Sequence, residues 1–283
     1  AAAAGKSVTT SAGSATYEAS TGRIATTATS KLESVNGLAN GNVNVAVAGS
    51  VAKDVTATPV ANLNSQNATV VTLDGNGGLV GQAFNAGTAS VAGDSTIAVA
   101  STGTVGGGVL ANGMRHASIS NAGEVGAGLA ANVGTGISTS SAQTQAFDGK
   151  GNLLSETNKA ANGQLTGDAT VDVAVTGKVG GTVAAGASRN ASVANAGNIA
   201  GTVNLVAGKG ASTYEYSDAS TFDGKGNELT YVETESFTHR GGTATLVNAA
   251  SGVIGGAAGL SSTENIAISN AGTIGGGVSG TSS

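Results

Sequence analysis

The chain has 283 residues and a net charge of −5, with 47 glycines, 3% aromatic residues, no cysteine and one proline. Without cysteine it can form neither disulfides nor thiolate metal sites, and it has no thiol nucleophile. Its twelve lysines and arginines are dispersed, whereas nucleic acid and anionic membranes require a clustered basic surface. No apolar run approaches the roughly eighteen residues of a membrane span, and Ala1 to Ala4 are too few for a signal-peptide core. We expect no nucleic-acid partner and no membrane insertion.

The sequence is internally repetitive. The word Asn-Ala-Gly begins at Asn121, Asn195 and Asn270, with spacings of 195 − 121 = 74 and 270 − 195 = 75 residues. A second phrase, Asp-Gly-x-Gly, keeps the same period and begins at Asp74, Asp148 and Asp223. Fixed periods of this kind are typical of solenoids, whose stacked units share one continuous core and present long faces rather than clefts.

A shorter period of about 20 residues lies inside the long one and suits one turn of a coiled β-ribbon. Branched residues fall on every second position in segments such as Thr170 to Val175, which predicts strands rather than helices. We expect two aliphatic columns inside the solenoid. The first comprises Val105, Val125, Val179, Ile199, Ile254 and Ile274, and the second comprises Val109, Leu129, Val183, Val203 and Val278.

Glycine recurs at one phase of the short period, and helices do not tolerate its overall density. We expect these glycines to supply a positive-φ corner in each turn. They are Gly103, Gly123, Gly177, Gly197, Gly252 and Gly272. A disordered low-complexity coil is the alternative that the composition allows, but disorder would not hold valine and isoleucine at a constant phase.

The chain is interpreted as a single β-solenoid domain, residues 1–283, in which compact turns alternate with arms. Super-repeats are expected at approximately 21–94, 95–168, 169–242 and 243–283, the last one partial, with 1–20 as a partial arm. All eight aromatic residues fall in the arms. They are Tyr17, Phe84, Phe147, Tyr214, Tyr216, Phe222, Tyr231 and Phe237.

Each arm is predicted to be a β-hairpin, with two alternating strands around an Asp-Gly-x-Gly turn. One hairpin is two strands wide, and two solenoid turns rise by the same two strand spacings, about 9.6 Å in all. Successive arms can therefore tile into one continuous side sheet. The same turns superficially resemble calcium loops, but Lys150 and Lys225 stand where a ligand oxygen would belong, so the turn interpretation is preferred.

The search for chemical sites yields no catalytic, cofactor-binding or metal-binding residues. His116 and His239 lie in different repeats and lack a serine or acid at motif spacing. Arg115 and Arg189 share one phase, next to His116 and Asn190, but the third copy has Glu264 there. Asp94 and Asp168 also recur at one phase, which indicates a corner cap rather than a unique active site. We expect no enzyme activity and no cofactor.

The phrase Asn-Ala-Gly-Thr-Ile-Gly-Gly at Asn270 to Gly276, with its relatives at Asn121 and Asn195, resembles the passenger repeats of bacterial autotransporters and filamentous-haemagglutinin-like adhesins. The resemblance implies a β-solenoid, secretion across a Gram-negative envelope, and an extracellular role in adhesion, aggregation or surface coating. An arm on every second turn departs from simple passengers, and no carboxy-terminal membrane barrel is present in this sequence.

The expected function is that of a non-enzymatic structural or adhesive surface protein. Gly5 and Lys6 align roughly with the hairpin tip at Gly149 and Lys150, so the first arm lacks its leading strand. This indicates either a slice of a longer passenger or head-to-tail self-association into a filament or stalk. Host or bacterial surface glycans are further potential partners.

Two alternatives belong to other functional classes. An ice-binding solenoid would need regular threonine ranks; Thr102, Thr104 and Thr176 are present, but Glu124 and Lys178 interrupt them. A polysaccharide-acting β-helix enzyme would need clustered acids in a groove.

Overall fold

The fold is all-β. The computed structural model describes residues 7–10, 13–18, 23–27, 32–60, 62–91, 93–134, 136–208 and 211–283, and these residues form strands and turns without a helix. Gly5 and Lys6, and the predicted boundary between residues 20 and 21, lie outside the described residues. No described segment is a helix long and apolar enough to cross a membrane.

The strands follow one another in groups of short strands separated by long hairpins. The first group contains β1 (Ser7–Thr10), β2 (Gly13–Glu18), β3 (Arg23–Thr27), β4 (Val35–Asn40), β5 (Val43–Val47), β6 (Ser50–Val51) and β7 (Val55–Val60). The first hairpin is β8 (Asn62–Leu73) with β9 (Leu79–Val91). The second group contains β10 (Ser95–Val99), β11 (Thr104–Val105), β12 (Val109–Gly113), β13 (His116–Asn121), β14 (Glu124–Val125) and β15 (Leu129–Val133).

The same order continues to the end of the chain. The second hairpin is β16 (Gly136–Phe147) with β17 (Leu153–Leu165). The third group contains β18 (Asp168–Val173), β19 (Lys178–Val179), β20 (Val183–Gly186), β21 (Ala191–Asn195), β22 (Asn198–Ile199) and β23 (Val203–Val206). The third hairpin is β24 (Ala211–Phe222) with β25 (Glu228–Arg240). The last group contains β26 (Thr243–Asn248), β27 (Val253–Ile254), β28 (Ala258–Ser262), β29 (Asn265–Asn270), β30 (Thr273–Ile274) and β31 (Val278–Ser282).

Three parallel sheets run the length of the molecule. Sheet A has the order β3-β5-β10-β13-β18-β21-β26-β29, preceded by the antiparallel pair β1-β2. Sheet B contains the two-residue strands in the order β30-β27-β22-β19-β14-β11-β6, and sheet C has the order β31-β28-β23-β20-β15-β12-β7-β4. Since the chain visits A, B and C in turn before pairing with its own earlier strands, its path is a coil, the β-solenoid that the sequence predicts.

The solenoid interior is built from stacked columns of small aliphatic side chains. Sheet B aligns Val105, Val125, Val179, Ile199, Ile254 and Ile274, the first column expected from the sequence. Sheet C aligns Val109, Leu129, Val183, Val203, Ala258 and Val278, which is the second column with one alanine added. Burial alternates along the inward strands, because successive side chains point to opposite faces of a strand.

The predicted role of the corner glycines is wrong. Among the described residues, positive φ occurs at other glycines, such as Gly149 and Gly151 in a hairpin turn. At Gly123 an added Cβ would instead lie closer than 3.0 Å to the carbonyl oxygen of Gly103, and at Gly197 closer than 3.0 Å to that of Gly177. Real Cβ atoms do not approach carbonyl oxygens so closely. The glycines are needed because stacked turns touch backbone to backbone. The other corner positions with this role are Gly103, Gly177, Gly252 and Gly272.

The three hairpins form one antiparallel sheet beside the solenoid, which we call the hairpin sheet. Its order is β25-β24-β17-β16-β9-β8, so neighbouring hairpins pair with each other as well as internally. The described strands of residues 1–20 are not part of it, because β2 pairs with β3 in sheet A. The tiling that strand spacing predicted is therefore present between residues 62 and 240.

Candidate functional site

The solenoid core provides structure rather than chemistry, with one polar exception. Asn121, Asn195 and Asn248 end strands of sheet A with their side chains almost fully buried. The Nδ2 group of Asn195 donates to Oδ1 of Asn248 at 2.8 Å, and Nδ2 of Asn248 donates to Oδ1 of Asn270 at 2.8 Å. The Oδ1 atom of Asn195 accepts the backbone N–H of Gly197 at 3.2 Å. Asn195, Asn248 and Asn270 form an asparagine ladder at the corner between sheets A and B.

The sequence marks this ladder, but sequence reasoning gave the structural role to glycine alone. The signal was a recurring asparagine at the last position of an alternating strand. Val99 and Val173 occupy the same column in turns with a longer corner. Corner length does not decide the choice, because Asn248 precedes a four-residue corner and Val47 precedes a two-residue corner. Where asparagine is present, its side chain can satisfy nearby backbone groups.

The recurring aspartates are corner caps, as the sequence indicates. Arg115 donates from Nε and Nη2 to the two carboxylate oxygens of Asp94 at 3.1 and 2.8 Å, and Arg189 does the same to Asp168 at 2.8 and 2.5 Å. These hydrogen bonds hold the pKa of both carboxyls below the usual range. A carboxylate engaged in this way is a poor general acid. His116 Nδ1 lies 3.8 Å from Asp168.

The third copy of this corner lacks the ion pair. Glu264 stands at the position of the two arginines and packs beside Gly241, where an added Cβ would overlap its side chain. Asn190 accepts the backbone N–H of Thr243 at 3.0 Å instead. The arginines therefore stabilise individual corners and do not form a continuous cationic strip.

The outward row of sheet B is chemically mixed. Thr104 aligns with Glu124 and Lys178. The hydroxyls of Thr102 and Thr176 donate to the carbonyls of Ala48 and Ala122 in the preceding turn. These contacts fix the corners and leave no regular rank of threonines along the sheet.

The hairpin tips use their aspartates to close the turn. Asp148 Oδ1 accepts the backbone N–H groups of Lys150 and Asn152 at 2.8 and 3.1 Å, and Oδ2 accepts Nδ2 of Asn152 at 2.7 Å. These hydrogen bonds lower the pKa of Asp148. The turn interpretation is confirmed at this tip and at the equivalent Asp223. Within the described residues, no group of three or more potential ligand side chains is arranged to hold a metal ion.

The hairpin sheet carries seven of the eight aromatic residues and most of the acids of the described chain, whereas Tyr17 lies in β2 of sheet A. Cross-strand partners share one face of a sheet, and neighbours along a strand alternate between faces. One face therefore contains Lys159, Glu215, Ser217 and Thr234. We call this the lysine face. The opposite face contains Phe84, Tyr214, Tyr216, Tyr231, Phe237, Glu156, Asp218, Glu233 and Glu235, and we call it the acidic face.

Hydrogen bonds organise the centre of the acidic face. Glu156 accepts amide N–H groups from Gln143, Gln145 and Asn158 at 3.1, 2.8 and 2.9 Å. Asn158 also donates to Asp218 at 3.0 Å, across the boundary between the second and third hairpins. The amide donors lower the pKa of Glu156, so this carboxylate stays charged near neutral pH.

Tyrosine hydroxyls fix the acids nearest to β25. The Tyr214 hydroxyl donates to Glu235 and the Tyr231 hydroxyl donates to Glu233, each at 2.8 Å. The pKa of Tyr214 is raised by its hydrogen bond to Glu235. The pKa of Tyr216 is raised by hydrogen bonds to Tyr231 and then Asp218. The phenol rings are therefore held in place by hydrogen bonds to neighbouring carboxylates.

Shallow grooves lie on both faces of the hairpin sheet. A groove of about 310 Å³ on the acidic face is lined by Phe84, Gln143, Asn158 and Tyr216. A groove of about 520 Å³ is lined by Ser140, Lys159, Glu215, Ser217 and Thr234 on the lysine face. His239 lies near the base of β25, with its ring edge-on to Phe237 at 4.6 Å, far along the chain from His116.

The last solenoid turn presents unpaired strand edges. The strands β29, β30 and β31 each stand at one end of their sheet. Ile268 and Val278, which lie on inward columns, are 41% and 48% exposed there, whereas Leu246 and Ala258 in the preceding turn are fully buried. This surface is apolar and has free backbone donors and acceptors.

Comparison of the chain with protein-family models, curated proteins and solved structures finds no match. The candidate surfaces therefore rest on their own geometry: an end surface of the solenoid, and a two-faced hairpin sheet with acids and aromatic rings on one side.

Proposed function

We propose that the chain is a non-enzymatic extracellular scaffold, a structural or adhesive surface protein that forms or belongs to a filament or stalk by head-to-tail stacking. In this proposal the building unit is a super-repeat of about 74 residues, made of two turns of about 20 residues and one hairpin. The resemblance of the Asn-Ala-Gly phrases to bacterial surface adhesins supports a location at the surface of a Gram-negative bacterium.

The observation that carries the proposal is the repeated stacking of turns, in which sheets A, B and C extend by the same parallel strand pairing from one turn to the next. Ile268 and Val278 are exposed beside the unpaired edges of β29 and β31. An open edge with apolar neighbours is a template for another strand, and a solenoid end requires a cap or a partner. A further turn, from the same polypeptide or from a second copy, would pair with the backbone groups of β29, β30 and β31 together.

The chemistry outside the core supports a scaffold rather than an enzyme. The acids at the corners, Asp94 and Asp168, are engaged by arginines, and the acids of β25 are exposed to solvent. Mixed residues along sheet B also disfavour an ice-binding surface, because such a surface requires one repeated side chain on a flat rank.

The test is a concentration series of the purified chain, followed by light scattering and negative-stain electron microscopy. We expect particles that lengthen in one direction as concentration rises. The double substitution Ile268→Lys with Val278→Lys should abolish the lengthening, because it places charge on the stacking surface. Val175→Lys, at an exposed solenoid corner away from the end surface, is the control and should still lengthen. Monodisperse particles at all concentrations would contradict head-to-tail stacking.

A further inference from the structure

The acidic face of the hairpin sheet has a composition that stacking of the solenoid does not require. It places five aromatic rings and four carboxylates on one side of the sheet. Stacking uses the end surface of the core, so this face remains free when turns are added.

The negative charge of this face is uncompensated. Among the described residues, ion pairs join Lys53 with Glu33, Arg115 with Asp94, and Arg189 with Asp168. None involves an acid of the hairpin sheet. The lysine of the sheet, Lys159, is on the opposite face, in the row of Ser217 and Thr234. The acidic face thus offers four carboxylates to a cationic partner.

The carboxylates are fixed in position before any ligand binds. Glu233 and Glu235 are held by the Tyr231 and Tyr214 hydroxyls, and Asp218 by Asn158. Groups that are already ordered lose less conformational entropy on binding. The carboxylates retain free lone pairs, because an ionised carboxylate has about four acceptor sites.

Aromatic rings stand next to these acids. Tyr216 is cross-strand from Glu235 and two residues from Asp218, while Phe237 is cross-strand from Tyr214. The faces of such rings attract cations, and the planar guanidinium group can both stack on a ring and pair with a carboxylate through two hydrogen bonds. Alternating acids and rings along extended strands therefore favour arginine over lysine.

We propose that the acidic face binds an extended, arginine-bearing peptide segment of a partner protein. Alternate side chains of an extended peptide are about 6.8 Å apart, the same spacing as Tyr214, Tyr216 and Asp218 along β24. Such a peptide presents guanidinium groups to successive acids and rings, and its other side chains point to solvent. The groove at Phe84, Gln143, Asn158 and Tyr216 extends this track across the neighbouring hairpins.

The test uses the whole chain and a fluorescent octa-arginine peptide, with binding measured by anisotropy at physiological salt. Octa-lysine and a neutral glucose hexasaccharide serve as comparison ligands. We expect the arginine peptide to bind at least fivefold more tightly than the lysine peptide, and the hexasaccharide not to compete. The double substitution Glu233→Gln with Glu235→Gln should weaken arginine-peptide binding at least tenfold.

The matched control is Glu215→Gln, which removes one charge beside Tyr216 but on the lysine face. It should change the affinity less than twofold. Equal weakening by Glu215→Gln, equal affinity for the two peptides, or binding of the hexasaccharide in place of the arginine peptide would each overturn the proposal. Unchanged circular dichroism spectra establish that the variants are folded.

Discussion

Individual glycines in this chain allow backbones to stack rather than to turn. Gly123 has no positive φ, yet a Cβ there would overlap the carbonyl oxygen of Gly103. Gly75, in the first hairpin turn, likewise has no positive φ, but open space surrounds its missing side chain. Alanine substitutions at these two glycines distinguish two effects of an added methyl group: overlap with a neighbouring backbone in the folded state, and lower flexibility of the unfolded chain.

We expect Gly123→Ala to lower the free energy of unfolding by about 1–3 kcal/mol, the usual cost of overpacking. Gly75→Ala should leave it within about 0.5 kcal/mol or raise it slightly, since alanine restricts the unfolded chain. Chemical denaturation of both variants measures the difference. Equal effects of the two substitutions would argue against backbone contact as the reason for the conserved spacing of glycines within the chain.

The asparagine ladder makes a second prediction at the scale of single residues. Asn195→Ala removes the acceptor for the Gly197 N–H and the donor to Asn248, leaving buried polar groups without partners. The expected loss is about 1–3 kcal/mol. Asn198→Ala, at an exposed position three residues later, should change stability by less than about 0.5 kcal/mol. A similar result for both variants in denaturation experiments would remove the structural role of the ladder.

The corner ion pairs predict how stability depends on pH. Hydrogen bonds from Arg189 lower the pKa of Asp168 in the folded chain, while its unfolded value is about 3.9. Between these two values the unfolded chain binds more protons, so stability rises with pH. The contribution is complete above about pH 5 and is lost as pH falls through the folded pKa. The stability advantage of the natural chain over Asp168→Asn should therefore shrink in acid. An advantage that is constant from pH 7 to pH 2 would contradict this.

Sequence reasoning succeeded where one local pattern determines the structure and failed where two distant turns meet. Val105 and Val125 could be aligned because their phase repeats, and the tip at Asp148 could be recognised from its turn residues. The contact between Gly123 and the Gly103 carbonyl depends on the separation of stacked backbones, which no local pattern encodes. The wrong expectation of positive φ arose because glycine is used both for backbone conformations with positive φ and for close contact between backbones.

At the scale of elements, the hairpins differ from the solenoid strands in what they bury. Strands such as β13 and β18 bury alternate side chains in the core, whereas every residue of β25 is exposed. The hairpin sheet is therefore held together mainly by hydrogen bonds between its strands, with little packed core beneath them.

This contrast predicts a difference in hydrogen exchange. Amides in the outer halves of β16 and β17 should exchange faster than those of β13 and β15, because opening the hairpins exposes little buried apolar surface. Exchange followed by mass spectrometry resolves the two regions. Equal protection would mean that the hairpins open only together with the solenoid.

Which residues share a face of the hairpin sheet could be predicted only in part from the sequence. Alternation in β24 separates Tyr214 and Tyr216 from Glu215 at once. Which acids join the tyrosines depends on the register between hairpins, such as Asn158 opposite Asp218. That register joins strands from different hairpins, which no turn residue determines, so the acidic face becomes visible only in the folded structure.

At the scale of the whole molecule, the solenoid and the hairpin sheet have different roles. The solenoid determines the spacing of turns through small, uniform columns, and the hairpins carry the variable chemistry. Acids accumulate along the hairpin sheet: the first hairpin has one at Asp74, whereas the third has six. The molecule therefore combines a solenoid of repeated turns with a hairpin sheet whose number of acids increases from the first hairpin to the third.

The most direct test is disulfide cross-linking between successive hairpins, which the absence of natural cysteine permits. Asn158 lies opposite Asp218, and Lys159 lies opposite Ser217. Cysteines placed at these pairs should form a disulfide on mild oxidation in at least one pair, because directly opposed Cβ atoms lie near bonding distance. Cysteines at Lys159 and Asp218, which lie on opposite faces, should not. Cross-linking in that mismatched pair, or in neither matched pair, would contradict a continuous hairpin sheet beside the solenoid.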